Sequence, residues 1–472
     1  MDRRRFLQLA IGATATGYAV WERSRNSRQE QDRPPGVHPE IWDTLTALSV
    51  LDTHEHQEEE ADRLRRHVDF MEYFRHYSLS DWRSAGLRDE EIAVLNRADV
   101  DPADKWARLR PFWQAVRNTG YLQAALIAIR RIHGVEELSP ATVRQISEEL
   151  QRSNRPGYVR HVFKEICGVE YAQVNALESG VVYRSQTDPD LFLQDISGLR
   201  LMLPFANLDR IASETGGPID TLADYERAVD WYFERYGKEA SAVKNQCAYS
   251  RVIRFGAVRR AEAERLFDRW RKNRRSLSRD DLLALGDYSW NYIVAKAGEY
   301  DLVVKIHTGY LAGNNTLELD RIRPAHLTSL FRRFPRVRFD LFHMGYPHEF
   351  ETVALVKQYT NVYVDLTWAP IVNPVAASRY VESFLASCPV TKIFAFGGDY
   401  RTVDPVYGHL WITRAVVGEA LTRRVRAGGM RLRDACYAAK CLFRENVERT
   451  FHVRERAARL KKRLGDRHAT NR

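Results

Sequence analysis

Residues 51–56 read LDTHEH, so His54 and His56 lie two apart at the close of an apolar run. Side chains alternate along a strand, and an H-x-H pair there turns both imidazoles to one side. Groups of the same chemical kind close other apolar runs: Lys244 in VKNQCAY, His307 in VVKIHTG, His343 in FDLFHMG and Asp399 in FAFGGD. Imidazole and carboxylate together suit a divalent zinc, manganese or iron ion. Singly, each is an ordinary strand-end residue; their joint recurrence at the ends of separate runs is the signal. His38, His67, His76, His133, His161, His326, His348, His452 and His468 lack that placement and read as surface or packing residues. Glu58, Glu59 and Glu60 follow the first run and read as a solvated face.

The elements that must position these groups are short apolar stretches bounded by polar residues or glycine. Eight occur: LSVLDTHEH, VEYAQVNAL, GLRLMLPF, ASAVKNQCAY, DLVVKIHTG, VRFDLFHMG, NVYVDLTW and KIFAFGGD. The last four alternate with segments of helical spacing such as RPAHLTSLFRRF, which predicts parallel strands with right-handed crossovers. Eight such units predict an α/β fold, a closed (β/α)8 TIM barrel whose strand ends converge on one mouth. Residues 57–168 are too long for one crossover and are predicted to be a large helical insertion after strand one, close to that mouth. Within it Leu109, Phe112, Trp113 and Val116 fall at helical spacing and read as core. Ser278 with Asp281 predicts a capping box opening a later helix.

Composition bounds the partners. The 472 residues are 44% hydrophobic and 28% charged, ordinary for a globular chain. The formal charge of +10 is concentrated at the ends. Residues 1–33 hold seven arginines against four acids, and residues 453–472 hold eight basic residues against two acids, which leaves the body near neutral. Such a body carries no polyanion footprint, so a small-molecule substrate is expected rather than nucleic acid. The basic tail reads as a solvated helix end, with weak membrane association through the termini as the lesser reading. Cys167, Cys247, Cys388, Cys436 and Cys441 include no C-x-x-C pair and read as small apolar residues. The opening MDRRRFLQLAIGATATGYAV resembles a twin-arginine export signal, with Arg3-Arg4 ahead of a weakly apolar stretch. It implies an exported or periplasmic protein; without export the protein would be cytoplasmic. The domain plan is therefore a signal and linker over 1–36, a barrel over 37–452 and a basic tail over 453–472.

The combination DTHEH, VKIHTGY, FHMGYP, NVYVDLTW and FAFGGDY resembles the amidohydrolase superfamily, in the group holding metal-dependent hydrolases, non-oxidative decarboxylases and uronate isomerase relatives. The resemblance implies a divalent metal, zinc foremost, on His54, His56, His307 and Asp399. Asp399 would also act as general base and then acid. His343 would donate to a developing oxyanion or complete the metal shell. Lys244 would bridge two metals as a carboxylated lysine or face the substrate as a cation, and one ion is favoured over two. Arg251, with Arg254 near it, is a candidate carboxylate fork; Tyr310 and His409 are candidate substrate contacts. The leading expectation is a hydrolase. Decarboxylation, uronate isomerisation and non-catalytic metal binding are the alternatives.

Overall fold

A computed structural model of the chain describes residues 33–185 and 188–470. The Arg3-Arg4 segment expected to direct export lies outside the described residues, as do Asn471 and Arg472 of the tail. Nine short strands are described: β1 (Val50–Glu55), β2 (Val169–Val174), β3 (Phe192–Gln194), β4 (Ile196–Ser197), β5 (Ala242–Asn245), β6 (Val303–Ile306), β7 (Phe339–Leu341), β8 (Val362–Asp365) and β9 (Ile393–Phe394). All pairings are parallel and follow sequence order, β1 to β3 in one sheet and β4 to β9 in the other. Such sequential order demands crossovers, and helices supply them.

The expected single closed ladder is corrected here. Only Asp195 separates β3 from β4, so residues 192–197 form one broken stave between the two sheets. At the other end the chain after β9 meets β1 through irregular backbone bonds. Thr53 N donates to Phe396 O at 3.0 Å, Asp399 N to His54 O at 2.9 Å, and His56 N to Tyr400 O at 3.0 Å. Those bonds set His54, His56 and Asp399 side by side. The predicted third strand, GLRLMLPF, is also corrected: residues Gly198–Leu201 are a helical turn, and the stave precedes it.

Residues between β1 and β2 are largely helical, including Pro102–Leu109, Gly120–His133 and Pro140–Ser153. Leu109, Trp113 and Val116 are buried there, as their spacing predicts, while Phe112 is only half-buried. Arg63 clamps this region to the chain after β9 with a forked pair to Asp404, Nη1–Oδ2 2.7 Å and Nη2–Oδ1 3.0 Å. The helix Arg279–Glu299 opens with the Ser278–Asp281 capping box. The acids expected to be a solvated face are engaged: Glu58 pairs with Arg66, Glu59 with Arg184, and Glu60 accepts from Gly157 and Val159 amides.

The tail is not a solvated end. Helix Val453–Thr470 lays Val453, Ala457 and Leu460 against Leu51, Leu193, Ala242, Val303 and Phe394, residues near the starts of five strands. It plugs the floor opposite the site. Arg456 is buried in that contact and donates to the carbonyls of Gly237, Ala240 and Asp301. All five cysteines are free thiols, four of them buried. Among the described residues no helix is long and apolar enough to cross a membrane.

Candidate metal centre

Three consecutive strands end in residues forced into the left-handed region: His343 after β7 (φ 61°), Trp368 after β8 (φ 64°) and Asp399 after β9 (φ 61°). Non-glycine residues there are strained, and such strain persists only where surrounding structure fixes it. Asp399 shows how. Its amide donates to the His54 carbonyl, and its own carbonyl accepts from the Tyr77 hydroxyl. Gly398 before it packs so tightly that a Cβ would run into the Glu55 carboxylate.

The result is a cluster of His54, His56 and Asp399. The Nε2 atoms of His54 and His56 stand 3.3 Å apart, and each lies 3.2 Å from Asp399 Oδ1. His54 is fully buried, whereas His56 keeps a little exposure towards the mouth. Burial, then the charges of Lys244 and His56, hold the His54 imidazole well below its usual pKa, so it is neutral. Burial alone would raise the Asp399 carboxyl; the hydrogen bonds of His54 and His56 instead hold it well below its usual value.

A second pair adjoins the first. His343 Nε2 lies 3.1 Å from His307 Nδ1. The outer nitrogens of both rings meet carbonyls, His343 Nδ1 on Thr367 O at 2.7 Å and His307 Nε2 on Tyr310 O at 2.9 Å. A carbonyl only accepts, so each outer nitrogen carries the proton. Burial foremost keeps both rings neutral: it brings His343 down to about 4 against the pull of Asp399, and with the neighbouring His343 and Lys244 it holds His307 well below its usual value. The two inner nitrogens therefore point lone pairs at each other. His56 Nδ1 likewise meets a carbonyl, Asn175 O at 2.8 Å, while its Nε2 lies 3.2 Å from Asp399 Oδ1. Facing lone pairs repel unless a cation lies among them.

The donor set fits a divalent metal on that ground. Imidazoles oriented by backbone carbonyls, as His56, His307 and His343 are, together with one ionised carboxylate suit such an ion. Three of the four expected ligands converge. His307 does not join the three-residue cluster, because its ring is engaged by His343 and Tyr310.

Of the other expected residues, Lys244 lies in the interior with its Nζ 3.3 Å from the Phe342 ring centre and no hydrogen-bond partner. Burial brings it down to about 7. Arg251 is corrected. Its guanidinium pairs with Asp287 at 2.6 Å and donates to the carbonyls of Val252, Leu283 and Arg254, so no fork remains for a substrate. His409 is corrected too: fully buried behind Gly398, whose carbonyl its Nδ1 meets at 3.2 Å, it backs the Asp399 turn. Tyr310 stays at the mouth, half-buried beside Trp368.

Sequence reading missed Asp195 and Lys305. Lys305 Nζ lies 2.9 Å from Asp195 Oδ2 and donates to Thr53 O at 2.8 Å, while Asp195 Oδ2 stands 3.9 Å from His54 Nδ1. It also missed Tyr77, which reaches Asp399 from the helical region between β1 and β2.

Residues 186–416, just under half of the chain, match the amidohydrolase family model. The chain is similar to the amidohydrolase family over that segment. Its fold is shared with the uronate isomerase of Thermotoga maritima, at 14% identity and a TM-score of 0.70 over 88% of this chain and 98% of that one. A Lactobacillus casei protein described as a metal-dependent hydrolase superposes with a TM-score of 0.60 at 17% identity, covering 88% of this chain and 98% of that one. The protein fluG of Emericella nidulans is 28% identical over 166 residues, which is 34% of this chain and 18% of that protein's length. His307, His343 and Asp399 fall inside the amidohydrolase match; His54 and His56 precede it and are joined to it by the β1 hydrogen bonds.

Proposed function

We propose that the chain is a metal-dependent hydrolase that cleaves an amide, ester or lactone bond of a small molecule. The observation that carries this reading is the convergence of His54, His56 and Asp399 beside the His307–His343 pair, whose inner nitrogens face each other. His54, His56 and Asp399 would hold the ion, with zinc the best match to their chemistry, and His307 or His343 would complete its shell. A divalent ion held there supplies Lewis acidity, bringing water to a pKa of about 7 and polarising a carbonyl.

The chain's own residues supply the proton traffic. Asp399 accepts the proton of the attacking water as the carbon–oxygen bond forms, then hands it to the departing nitrogen or oxygen as that bond breaks. His343, with its Nδ1–H fixed on Thr367 O, turns its other nitrogen to His307. Tyr77 and the buried glycine turn hold the Asp399 backbone during this exchange.

Isomerisation of a sugar acid, the activity for which the Thermotoga protein is named, would need a cation for the carboxylate; Arg251 is engaged elsewhere and Lys244 lies on the Phe342 ring. Export through the Arg3-Arg4 segment belongs to this proposal as well and rests on residues 1–36 alone. The test is turnover in water enriched in heavy oxygen. One labelled oxygen in the acid product is expected; isomer formation or carbon dioxide release without label overturns hydrolysis.

A further inference from the structure

The loops that follow the strands bring aromatic rings to the metal centre. Tyr249, after β5, lies 4.9 Å from the His307 ring, and Trp368, after β8, lies 5.2 Å from the His343 ring. Tyr77, from the region after β1, stacks on Trp368 at 4.8 Å and 24° and bonds the Asp399 carbonyl. Tyr310, after β6, stands between Trp368 at 5.7 Å and Tyr346 at 6.3 Å. The stack of Tyr77 and Trp368 is closed and forms a wall. Tyr310 and Tyr249 are not closed: Tyr310 is half-buried, Tyr249 is 40% exposed, and neither ring stacks parallel on a neighbour.

A strap holds the two open rings at the mouth. The Ala312 amide donates to the Tyr249 hydroxyl at 3.0 Å, and Asn314 Nδ2 donates to the Ser80 carbonyl at 3.1 Å. The chain from β6 is thus tied both to the loop after β5 and to the helix Ser78–Ser84. Of the charged groups expected to greet a substrate, Arg251 is engaged and Lys244 lies on the Phe342 ring. A polyhydroxylated sugar needs a hydrogen-bonding partner for each hydroxyl it brings out of water. A flat unsaturated ring needs aromatic faces and edges, which this mouth offers.

We infer that the substrate carries a planar aromatic ring next to the scissile carbonyl, seated against Tyr310 and Tyr249. This inference rests on the hydrolytic reading for the bond cleaved and on the tyrosine positions for the ring. Three amides with the same head and different rings test it: benzamide, cyclohexanecarboxamide and glucuronamide, each titrated onto the zinc-loaded full chain with thermal melting as the readout. Benzamide is expected to bind about fivefold or more tighter than the saturated ring, the gain of one aromatic pair. Tyr310→Leu is expected to erase that preference with zinc content unchanged, and Tyr249→Leu serves the same purpose should the first variant not fold. Absence of benzamide binding overturns the inference, as does equal or tighter binding of cyclohexanecarboxamide or glucuronamide, or a preference untouched in both variants. Ammonia release reads hydrolysis separately. A ring preference without ammonia supports this inference while removing amide cleavage from the hydrolytic reading; ammonia from all three without preference supports amide cleavage and removes the inference.

Discussion

Lys305 and Asp195 face one another inside the strand layer, Nζ 2.9 Å from Oδ2, and neither side chain reaches solvent. The pair ties β6 to the break between β3 and β4. Through the Thr53 carbonyl and the Ser241 hydroxyl it also reaches β1 and the start of β5. Removing one partner leaves a buried charge uncompensated, so Lys305→Met should cost about 3–5 kcal/mol. Urea denaturation of the variant checks this, and a loss below about 1 kcal/mol would show that Asp195 finds another partner. Adding Asp195→Asn should return part of the loss, because the orphaned charge is then gone.

Gly398→Ala tests the turn that delivers Asp399. The new methyl would meet the Glu55 carboxylate, which itself accepts the Tyr400 amide at 2.8 Å and Gln57 at 3.1 Å. Neither the backbone nor this bonded carboxylate can yield freely. Overpacking of this kind costs about 1–3 kcal/mol. Equilibrium dialysis should also show weaker zinc binding, since Asp399 and the β1 histidines share the displaced backbone.

The residues that hid from sequence reading hid for a physical reason. Strands β1, β2 and β5 to β9 stand where their β-branched and aromatic runs place them, and the ligand types at their ends are where the H-x-H and GGD patterns put them. Stave 192–197 reads FLQDIS, and its inward Asp195 breaks the apolar signal that GLRLMLPF imitates more strongly. An interior lined by Asp195, Lys305, Asp340 and Asp365 violates the near-continuous apolar pattern of buried parallel strands. Residue type and nearness in sequence point to Arg251 and His409. Their partners, Asp287 and the Gly398 carbonyl, are known only once the chain is folded.

Metal removal should destabilise the fold. A ligand that binds only the native state contributes about RT ln(1 + [L]/Kd), or about 4 kcal/mol at a thousandfold excess over Kd. Chelation should therefore lower the melting temperature of the zinc-loaded chain. His56→Ala should melt at one temperature with or without chelator. Elemental analysis complements this: about one ion per chain fits the three-residue cluster as the sole site. About two would mean that the His307–His343 pair takes its own ion beside Lys244.

Asp340 carries a pH prediction with a definite sign. Burial, and then the charge of Asp365, pushes its carboxyl well above the usual value, and neither oxygen has a hydrogen-bond partner. The folded chain therefore holds a proton that the unfolded chain releases above about pH 4. Stability is full below that unfolded value and falls as pH rises towards the folded one. Asp340→Asn keeps the neutral shape and removes the titration. Chemical denaturation at a series of pH values should show a shallower decline for the variant, with the two proteins closest at the acid end. Parallel curves would mean that Lys305 and Lys244 keep Asp340 ionised.

The floor plug gives the last prediction. Leu460 is fully buried among the starts of the strands, reaching them from a helix half of whose residues are charged. That helix has few apolar residues to offer, so each carries a large share of its docking. Leu460→Ala should cost about 2–5 kcal/mol, the usual range for a buried leucine. Lys462→Ala, on the same helix but exposed, should change stability by less than about 0.5 kcal/mol. Because the plug sits opposite the metal centre, Leu460→Ala should leave zinc stoichiometry intact at temperatures where the variant is folded. Loss of zinc from the folded variant would instead mean that the floor and the mouth of the sheet are coupled.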